Sequence, residues 1–200
     1  MKLFHAPASP FVRKVMACAI AREIDRQIMP IAANPHASPP ELLAANPLSK
    51  VPCLLTTDGV ALFDSPVICE YLDSIEDGTT PMFPRTGRAR WVALKQQAMA
   101  DGIMDAAVLR RGEGAKPKEA GRDALLARQQ AAIDRALDQF ERELPHKAID
   151  IGTISVGCAL GYLDFRFAGE PWRPRRPNLA VWFEAFGANP CMRRTVPKEA

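Results

Sequence analysis

Strand-forming patterns are confined to the first 63 residues of this chain, and from residue 88 onward the apolar spacing is helical. Between the two parts, residues 77–84 carry a concentration of turn formers, Asp77-Gly-Thr-Thr-Pro-Met-Phe-Pro84. This switch predicts an α/β domain over residues 1–78 followed by an all-α helical bundle over residues 87–200.

The first domain alternates short apolar runs with helical patterns. The runs lie at residues 3–5, 28–31, 53–56 and 61–63, and the helical patterns at 11–24 and 65–76. The first βαβ unit predicts a parallel strand pair, and the turn at Asp58-Gly59 predicts a hairpin between the last two strands. This order resembles that of a thioredoxin-like domain.

The second domain has its clearest periodicity between Leu125 and Leu144, where apolar residues recur every three to four positions. A run from Asp150 to Asp164 predicts the central bundle helix, with Asp150 and Thr153 as a capping pair. Glycines at 152, 157 and 161 in this helix predict close approach of neighbouring helices.

The bulk composition is that of an ordinary globular protein. The chain has 200 residues, 48% of them hydrophobic, and a net charge of +3, which is too small to indicate a nucleic-acid partner. There is no charged leader followed by an apolar segment and no run of about 18 apolar residues, so we expect a cytoplasmic protein without a membrane anchor. The local clusters Arg173 to Arg176 and Arg193-Arg194 are interpreted as solvated surface.

The metal-binding and disulfide patterns are absent from the sequence. Five cysteines are widely spaced in apolar runs, which favours reduced, buried thiols. Cys53 follows a proline and could be a redox thiol, but its place at the start of an apolar strand favours a core position. The three histidines lack paired ligand spacing, so we expect no metal site.

Two segments of the first domain describe a binding site. In Val51-Pro52, a cis peptide bond would turn the Val51 N–H and C=O outward, free to pair with an extended peptide. In Asp64-Ser65-Pro66, Ser65 is the predicted N-cap of a helix and Pro66 its first residue. A ligand carboxylate would meet unpaired N–H groups there, and a ligand ammonium would meet Asp64.

The chain resembles the glutathione S-transferase family, particularly its bacterial members, throughout its length. Four motifs in the family's order carry the resemblance: Ser9-Pro-Phe-Val-Arg-Lys-Val15, Asn46-Pro-Leu-Ser-Lys-Val-Pro52, Phe63-Asp-Ser-Pro66 and Cys158-Ala-Leu-Gly-Tyr-Leu-Asp-Phe-Arg166. The resemblance implies a homodimer that binds glutathione and a small electrophile.

Ser9 matches the serine that faces the glutathione sulfur in many members of this family. A hydroxyl there would stabilise the thiolate by a hydrogen bond, and the helix N-terminus would add positive potential. An ordinary N-cap followed by proline is the alternative interpretation. The Ser9-Pro-Phe-Val12 sequence stands where thioredoxin-like oxidoreductases have Cys-Pro-x-Cys, which argues against disulfide exchange.

The resemblance also assigns binding roles. It implies that Ser65 holds the γ-glutamyl carboxylate, that Asp64 or its surroundings hold the ammonium, and that Lys50 meets the glycyl carboxylate. Val51 and Pro52 complete the predicted cradle, since the cis bond between them would leave the Val51 backbone free for the ligand. For Lys50, an exposed loop lysine without a ligand is the alternative. The cleft residues predicted on the long helix are Asp101, Asp105 and Met104, with Ala107 and Leu109 as further candidates.

The predicted function is conjugation of the glutathione thiolate to an apolar electrophile. Two alternatives use the same cradle: a non-catalytic glutathione-binding scaffold, and a glutathione-dependent isomerase or dehalogenase. Fold and ligand site alone do not separate these functions.

Overall fold

A four-stranded mixed sheet forms the centre of the first half of the chain. The computed structural model describes residues 1–75 and 79–199. Strands β1 (Lys2–His5), β2 (Met29–Ala32), β3 (Cys53–Leu55) and β4 (Ala61–Leu62) lie in the order β2-β1-β3-β4. β1 pairs parallel with β2, and the pairs β1–β3 and β3–β4 are antiparallel. The predicted parallel pair and terminal hairpin are therefore confirmed.

Three helices pack around this sheet. They are α1 (Pro10–Ala21), α2 (Pro40–Ala45) and α3 (Ser65–Ser74). The β3–β4 hairpin turns at Gly59, whose φ of +88° lies in the left-handed region that glycine adopts without a steric penalty. The predicted end of α3 at Glu76 and the predicted domain end at residue 78 lie outside the described residues, and the boundaries 1–78 and 87–200 stay a prediction.

The second half is helical. It contains α4 (Gly87–Gly114), α5 (Ala120–Arg142), α6 (Ile151–Arg166), α7 (Pro177–Gly187) and the short α8 (Pro190–Arg193). Over residues 79–199 no strand is present, as the apolar spacing predicts. α6 is the central helix, because every residue from Ile151 to Leu163 is buried.

The start of α6 confirms the predicted cap. The Asp150 carboxylate accepts a hydrogen bond from the Thr153 N–H at 2.8 Å, and the Thr153 hydroxyl accepts one from the Asp150 N–H at 2.9 Å. Two N–H groups that have no partner within the helix are thereby satisfied.

The three glycines of α6 lie where neighbouring elements come closest. A Cβ at Gly152 would be 2.7 Å from Gln96 Oε1, and one at Gly157 would be 2.8 Å from Met192 Cε. At Gly161 it would collide with Arg13 Nη1. The prediction of close approach is confirmed.

One hydrophobic core joins the two halves. It includes Leu3 and Val15 from the first half and Ile154 and Leu160 from the second, all with no exposed surface. α1 provides the contact, because it packs against both α6 and α8. The N-terminus of α1 is therefore fixed relative to the helical half.

Two sequence interpretations of charged and sulfur-containing residues have different outcomes. All five cysteines are free and buried, as expected. The solvated-surface interpretation is wrong for Arg176, which is 1% exposed. Its guanidinium donates to the Asp138 carboxylate at 2.9 Å and the Asp134 carboxylate at 2.8 Å, and these acids on α5 supply the partners that allow its burial.

Candidate functional site

Ser9 caps α1 directly after β1. Its backbone is extended, and its Oγ accepts a hydrogen bond from the Val12 N–H at 3.3 Å. The side chain is half-buried. Because the cap uses only a lone pair, the hydroxyl hydrogen is free to donate to a bound anion. The capping interpretation and the thiolate-stabilising one are therefore compatible.

The start of α3 departs by one residue from the prediction. The helix begins at Ser65, and Asp64 takes the N-cap position without a capping hydrogen bond from its side chain. Pro66 is tolerated in this first turn because its missing N–H would have had no partner within the helix. The predicted N-cap role of Ser65 is thus wrong, although its place at the helix start is right.

The side chain of Ser65 is buried without a partner. The residue is 1% exposed, and among the described residues its Oγ has no hydrogen-bond partner. Buried hydroxyls in folded proteins are nearly always paired, so this group requires an explanation. Asp64, next to it, is exposed and available to a ligand.

The loop before β3 presents the backbone of Val51. The Val51–Pro52 peptide bond is cis, and so is the Phe63–Asp64 bond beside α3. Within the described part of the chain, neither the N–H nor the carbonyl of Val51 is hydrogen-bonded to the protein. Lys50 is exposed and Pro52 is buried.

Asn46 organises this loop, a role that sequence reasoning missed. It is 1% exposed, its amide donates to the Lys50 carbonyl at 2.9 Å, and its Oδ1 accepts from the Leu48 N–H at 3.0 Å. From the sequence, Asn46 is recognisable only as part of an ordinary Asn-Pro turn, and its burial and its hydrogen bonds within the loop are not.

Asp101 on α4 forms an ion pair that joins the two halves. The Lys14 ammonium of α1 donates to both carboxylate oxygens, at 2.6 and 2.8 Å. Burial raises the pKa of the Asp101 carboxyl, against the opposing charge of Lys14. Lys14, which sequence reasoning did not single out, thus supplies the cation that accompanies Asp101 between the two halves.

Asp105 faces the loops of the first half. Burial raises the pKa of its carboxyl, the charge of Lys50 opposes the shift, and the charge of Asp64 adds to it. Asp64 also raises the pKa of Asp101. These couplings bring the predicted residues Lys50, Asp64, Asp101 and Asp105 into one electrostatic neighbourhood.

The apolar residues predicted for the cleft divide by burial. Met104 and Ala107 are 0% exposed and belong to the core between α4 and its neighbours, so neither presents a side chain to an open cleft. The cleft assignment of Met104 is therefore wrong. Leu109, at 38% exposed, remains accessible.

Residues 1–75 and 79–199 contain neither a membrane-spanning helix nor a cluster of metal-binding side chains. That part of the chain has no helix long and apolar enough to cross a membrane. It also has no group of three or more His, Cys, Asp or Glu side chains arranged to hold a metal ion.

Comparison with known families matches both halves. The family model described as glutathione S-transferase, N-terminal domain, covers residues 8–75. The one described as glutathione S-transferase, C-terminal domain, covers residues 123–185. These matched regions contain Ser9, the cis Val51–Pro52 bond and Ser65.

Similar proteins span the whole chain. The uncharacterized GST-like protein YibF of Escherichia coli is 34% identical, with 100% of each chain covered. A glutathione transferase family member from Pseudomonas fluorescens, solved with bound glutathione, is 42% identical with a TM-score of 0.91 and 98% of each chain covered. A glutathione S-transferase from Methylobacillus flagellatus with glutathione bound is 31% identical with a TM-score of 0.88, and the match covers 98% of this chain and 99% of that one.

Proposed function

Since this chain belongs to the glutathione S-transferase family, we propose that it is a glutathione transferase that conjugates the thiolate of glutathione to an apolar electrophile. The observation that carries the proposal is the Ser65 hydroxyl, which is buried and lacks a partner among the described residues at the start of α3. A ligand carboxylate at this point would accept from that hydroxyl and from the first N–H groups of the helix.

The rest of the cradle suits the rest of a glutathione molecule. Asp64 is exposed beside Ser65 and would pair with the α-ammonium of the γ-glutamyl group. The free N–H and carbonyl of Val51 would pair with the peptide backbone of the ligand, and Lys50 would meet the glycyl carboxylate. Asp105 interacts electrostatically with both Lys50 and Asp64, which would lie at opposite ends of the ligand.

Catalysis would begin with stabilisation of the thiolate. The Ser9 hydroxyl donates to the sulfur while its oxygen stays bonded to the Val12 N–H. The positive end of α1 adds to this effect, and both favour the charged form of the thiol. The thiolate then attacks the electrophilic carbon of a second substrate held beside it, and the leaving group departs with the bonding electrons.

The first experiment measures glutathione binding by isothermal titration calorimetry. Wild type should bind in the micromolar to millimolar range, and Asp64→Ala/Ser65→Ala should lose binding because both ends of the γ-glutamyl group lose their partners. Ser74→Ala, at the far end of the same helix, is the matched control and should bind like wild type. Absence of binding by folded wild type would refute the cradle and favour a scaffold role.

The second experiment measures turnover with 1-chloro-2,4-dinitrobenzene and other electrophiles. Ser9→Ala should lower kcat by about tenfold or more, since one hydrogen bond to an anion is lost, and leave glutathione affinity nearly intact. An unchanged rate would remove Ser9 from the mechanism. Glutathione binding without turnover of any conjugation substrate would favour the scaffold role. If isomerase or dehalogenase substrates then react, it would favour that activity instead.

We further propose a cytoplasmic homodimer. Reduced, buried cysteines suit a compartment that keeps thiols reduced. Trp91 on α4 is 68% exposed and Val67 on α3 is 46% exposed, and a surface ion pair between Arg90 and Glu70 at 3.3 Å links these two helices. Light scattering should give twice the chain mass for wild type and less for Trp91→Glu; a monomeric wild type would refute the dimer.

A further inference from the structure

Arg166, in the last turn of α6, holds a carboxylate that lies mostly in water. Its side chain is 11% exposed, and its Nη1 donates to the Glu199 carboxylate at 2.6 Å, whereas the side chain of Glu199 is 71% exposed. The guanidinium also lies over the Phe165 ring, with its Cζ 4.1 Å from the ring centroid. The arginine is therefore shielded by its own helix, while its anionic partner is accessible from solvent.

The ion pair between Arg166 and Glu199 is of a kind that another carboxylate can displace. An ion pair whose acid is exposed contributes little net stability, because water and salt compete for the exposed group. Glu199 lies in the segment after α8, outside any helix or strand. Glu199 thus marks where a carboxylate binds Arg166, and it leaves that position open to exchange.

The packing of α1 against α6 brings the last turn of α6 level with Ser9. Gly161 of α6 faces Arg13 of α1, and a Cβ at Gly161 would collide with the guanidinium. Five residues further along α1, burial raises the pKa of Cys18, and the thiol of Cys158, three residues further back in α6, adds to the rise. The two helices therefore run antiparallel, and Ser9, one turn before Arg13, lies beside the end of α6.

Tyr162 and Arg166 lie on the side of α6 that faces the groove between α1 and α4. Gly161 faces α1, and Leu163 lies on the opposite side of the helix, where it shares a cavity wall with Arg110 of α4. Successive residues of a helix turn by about 100°, so Tyr162 and Arg166 both fall between these two sides. The groove beside the N-terminus of α1 is therefore where a molecule could reach the guanidinium.

Arg111 of α4 adds a second positive charge to this groove. Burial raises the pKa of the Tyr162 hydroxyl, and the charges of Arg166 and Arg111 oppose the rise, so both guanidinium groups lie near that hydroxyl. Arg111 is exposed and follows Asp105, which interacts with the candidate glutathione site, by about 9 Å along the helix axis. Val108, one turn before Arg111 on the same side of α4, is 40% exposed and offers an apolar contact.

Resting on the proposed transferase function, we propose that the second substrate is an electrophile whose apolar body carries one carboxylate, and that Arg166 binds this carboxylate in place of Glu199. A guanidinium presents N–H donors in the planar arrangement that a carboxylate accepts. Arg111 adds positive potential that draws the anion into the groove. With its carboxylate fixed at the end of α6, the substrate presents its electrophilic carbon to the sulfur at Ser9.

The test compares an acid with its methyl ester as the second substrate. 4-Chloro-3,5-dinitrobenzoate carries the carboxylate, and methyl 4-chloro-3,5-dinitrobenzoate has the same reacting carbon without the charge. In both, the glutathione thiolate forms a C–S bond at the carbon that bears chlorine, and the C–Cl bond breaks with its electrons on chloride. Each kcat/KM is divided by the rate constant of the uncatalysed reaction with glutathione, because the two compounds differ in reactivity. By this ratio, wild type should prefer the acid by about tenfold, since a charge-assisted hydrogen bond is gained.

Three variants locate the carboxylate. Arg166→Met should abolish the preference through a higher KM for the acid, whereas a purely structural role of Arg166 would lower the rates with both substrates alike. Glu199→Gln should raise the preference by about two- to fivefold, because a neutral amide competes less well for the guanidinium. Arg128→Met, which removes an exposed arginine of α5, should match wild type.

Equal normalised rates with acid and ester in wild type would overturn the proposal, and so would a preference that survives in folded Arg166→Met. If Arg166→Met does not fold, Glu199→Gln decides the matter, since an unchanged preference there would mean that the substrate does not compete with Glu199. If wild type binds glutathione but turns over neither compound, the proposed function fails. Calorimetric titration of the unreactive 3,5-dinitrobenzoate, with glutathione present, then decides between binding that is lost in Arg166→Met, which supports a carboxylate site at Arg166, and no binding, which overturns it.

Discussion

Removing Lys14 and removing Asp101 should lower the free energy of unfolding by different amounts, although both changes break the same ion pair. The Lys14 ammonium is 0% exposed, whereas the side chain of Asp101 is 17% exposed. Loss of Asp101 therefore leaves a charge in the interior without water, and loss of Lys14 leaves a carboxylate that water can reach. The first loss should be the more costly one.

The magnitudes follow from this difference in burial. Breaking a buried ion pair by removing one partner costs about 3–5 kcal/mol, and Asp101→Asn should fall near the lower end because the amide oxygen still accepts one hydrogen bond. Lys14→Met should cost only about 1–2 kcal/mol, since the remaining carboxyl already has its pKa raised by burial and can take up a proton. The double variant should resemble Lys14→Met alone.

Urea denaturation followed by circular dichroism gives the four free energies of unfolding for this cycle. All variants are measured at one protein concentration, because self-association would make the midpoint depend on concentration. An Asp101→Asn variant within about 0.5 kcal/mol of wild type would refute a costly unpaired charge at Lys14, and so would a larger loss of stability in Lys14→Met than in Asp101→Asn.

Three further predictions concern other features. In urea denaturation, Gly152→Ala should destabilise the protein by about 1–3 kcal/mol, because its Cβ would be 2.7 Å from Gln96 Oε1. Gly102→Ala, whose Cβ would have no atom within 4 Å, should be neutral or stabilising. Equal effects of the two substitutions would contradict the prediction. Arg176→Lys should fail to rescue the stability that Arg176→Met loses in thermal melts, since an ammonium cannot reproduce the donation by Nε and Nη2; full rescue would show that charge alone suffices. Burial lowers the pKa of His5, so below about pH 6.5 the unfolded chain binds more protons at this residue than the folded chain does. Stability should therefore fall more steeply from pH 7 to pH 5 in wild type than in His5→Gln, and parallel curves would exclude His5.

Features set by neighbours in sequence were predictable. The reciprocal cap of Asp150 and Thr153 involves residues three apart, and the Asp58-Gly59 turn joins adjacent strands. Helix starts and hairpins depend on local backbone geometry and on side chains that reach only a few residues. The same locality explains why the cap and first residue of α3 were predicted to within one position, as Ser65 and Pro66 where the structure has Asp64 and Ser65.

Features set by distant partners were not predictable from local pattern. Arg176 stands in a basic, proline-rich segment typical of solvated surface, and it is buried because Asp134 and Asp138 face it from α5. Met104 was assigned to an open cleft, but α4 turns that side chain into the core. In both cases the deciding contact is made by residues far away in the chain, and a single sequence does not reveal it.

Ser65 and Arg13 illustrate how the two kinds of information combine. In the sequence, Ser65 is interpreted as a helix cap, and Arg13 stands in the Ser9–Val15 motif without a role of its own. The fold buries both and leaves donor or acceptor atoms without a partner among the described residues. Burial of an unpaired polar group is unfavourable, so each marks a place where a bound molecule would lower the free energy. Ser65 lies in a motif that the family resemblance already assigns to glutathione. Arg13 has the same physical signature and stands in a motif of the same resemblance, which gives it no role in binding.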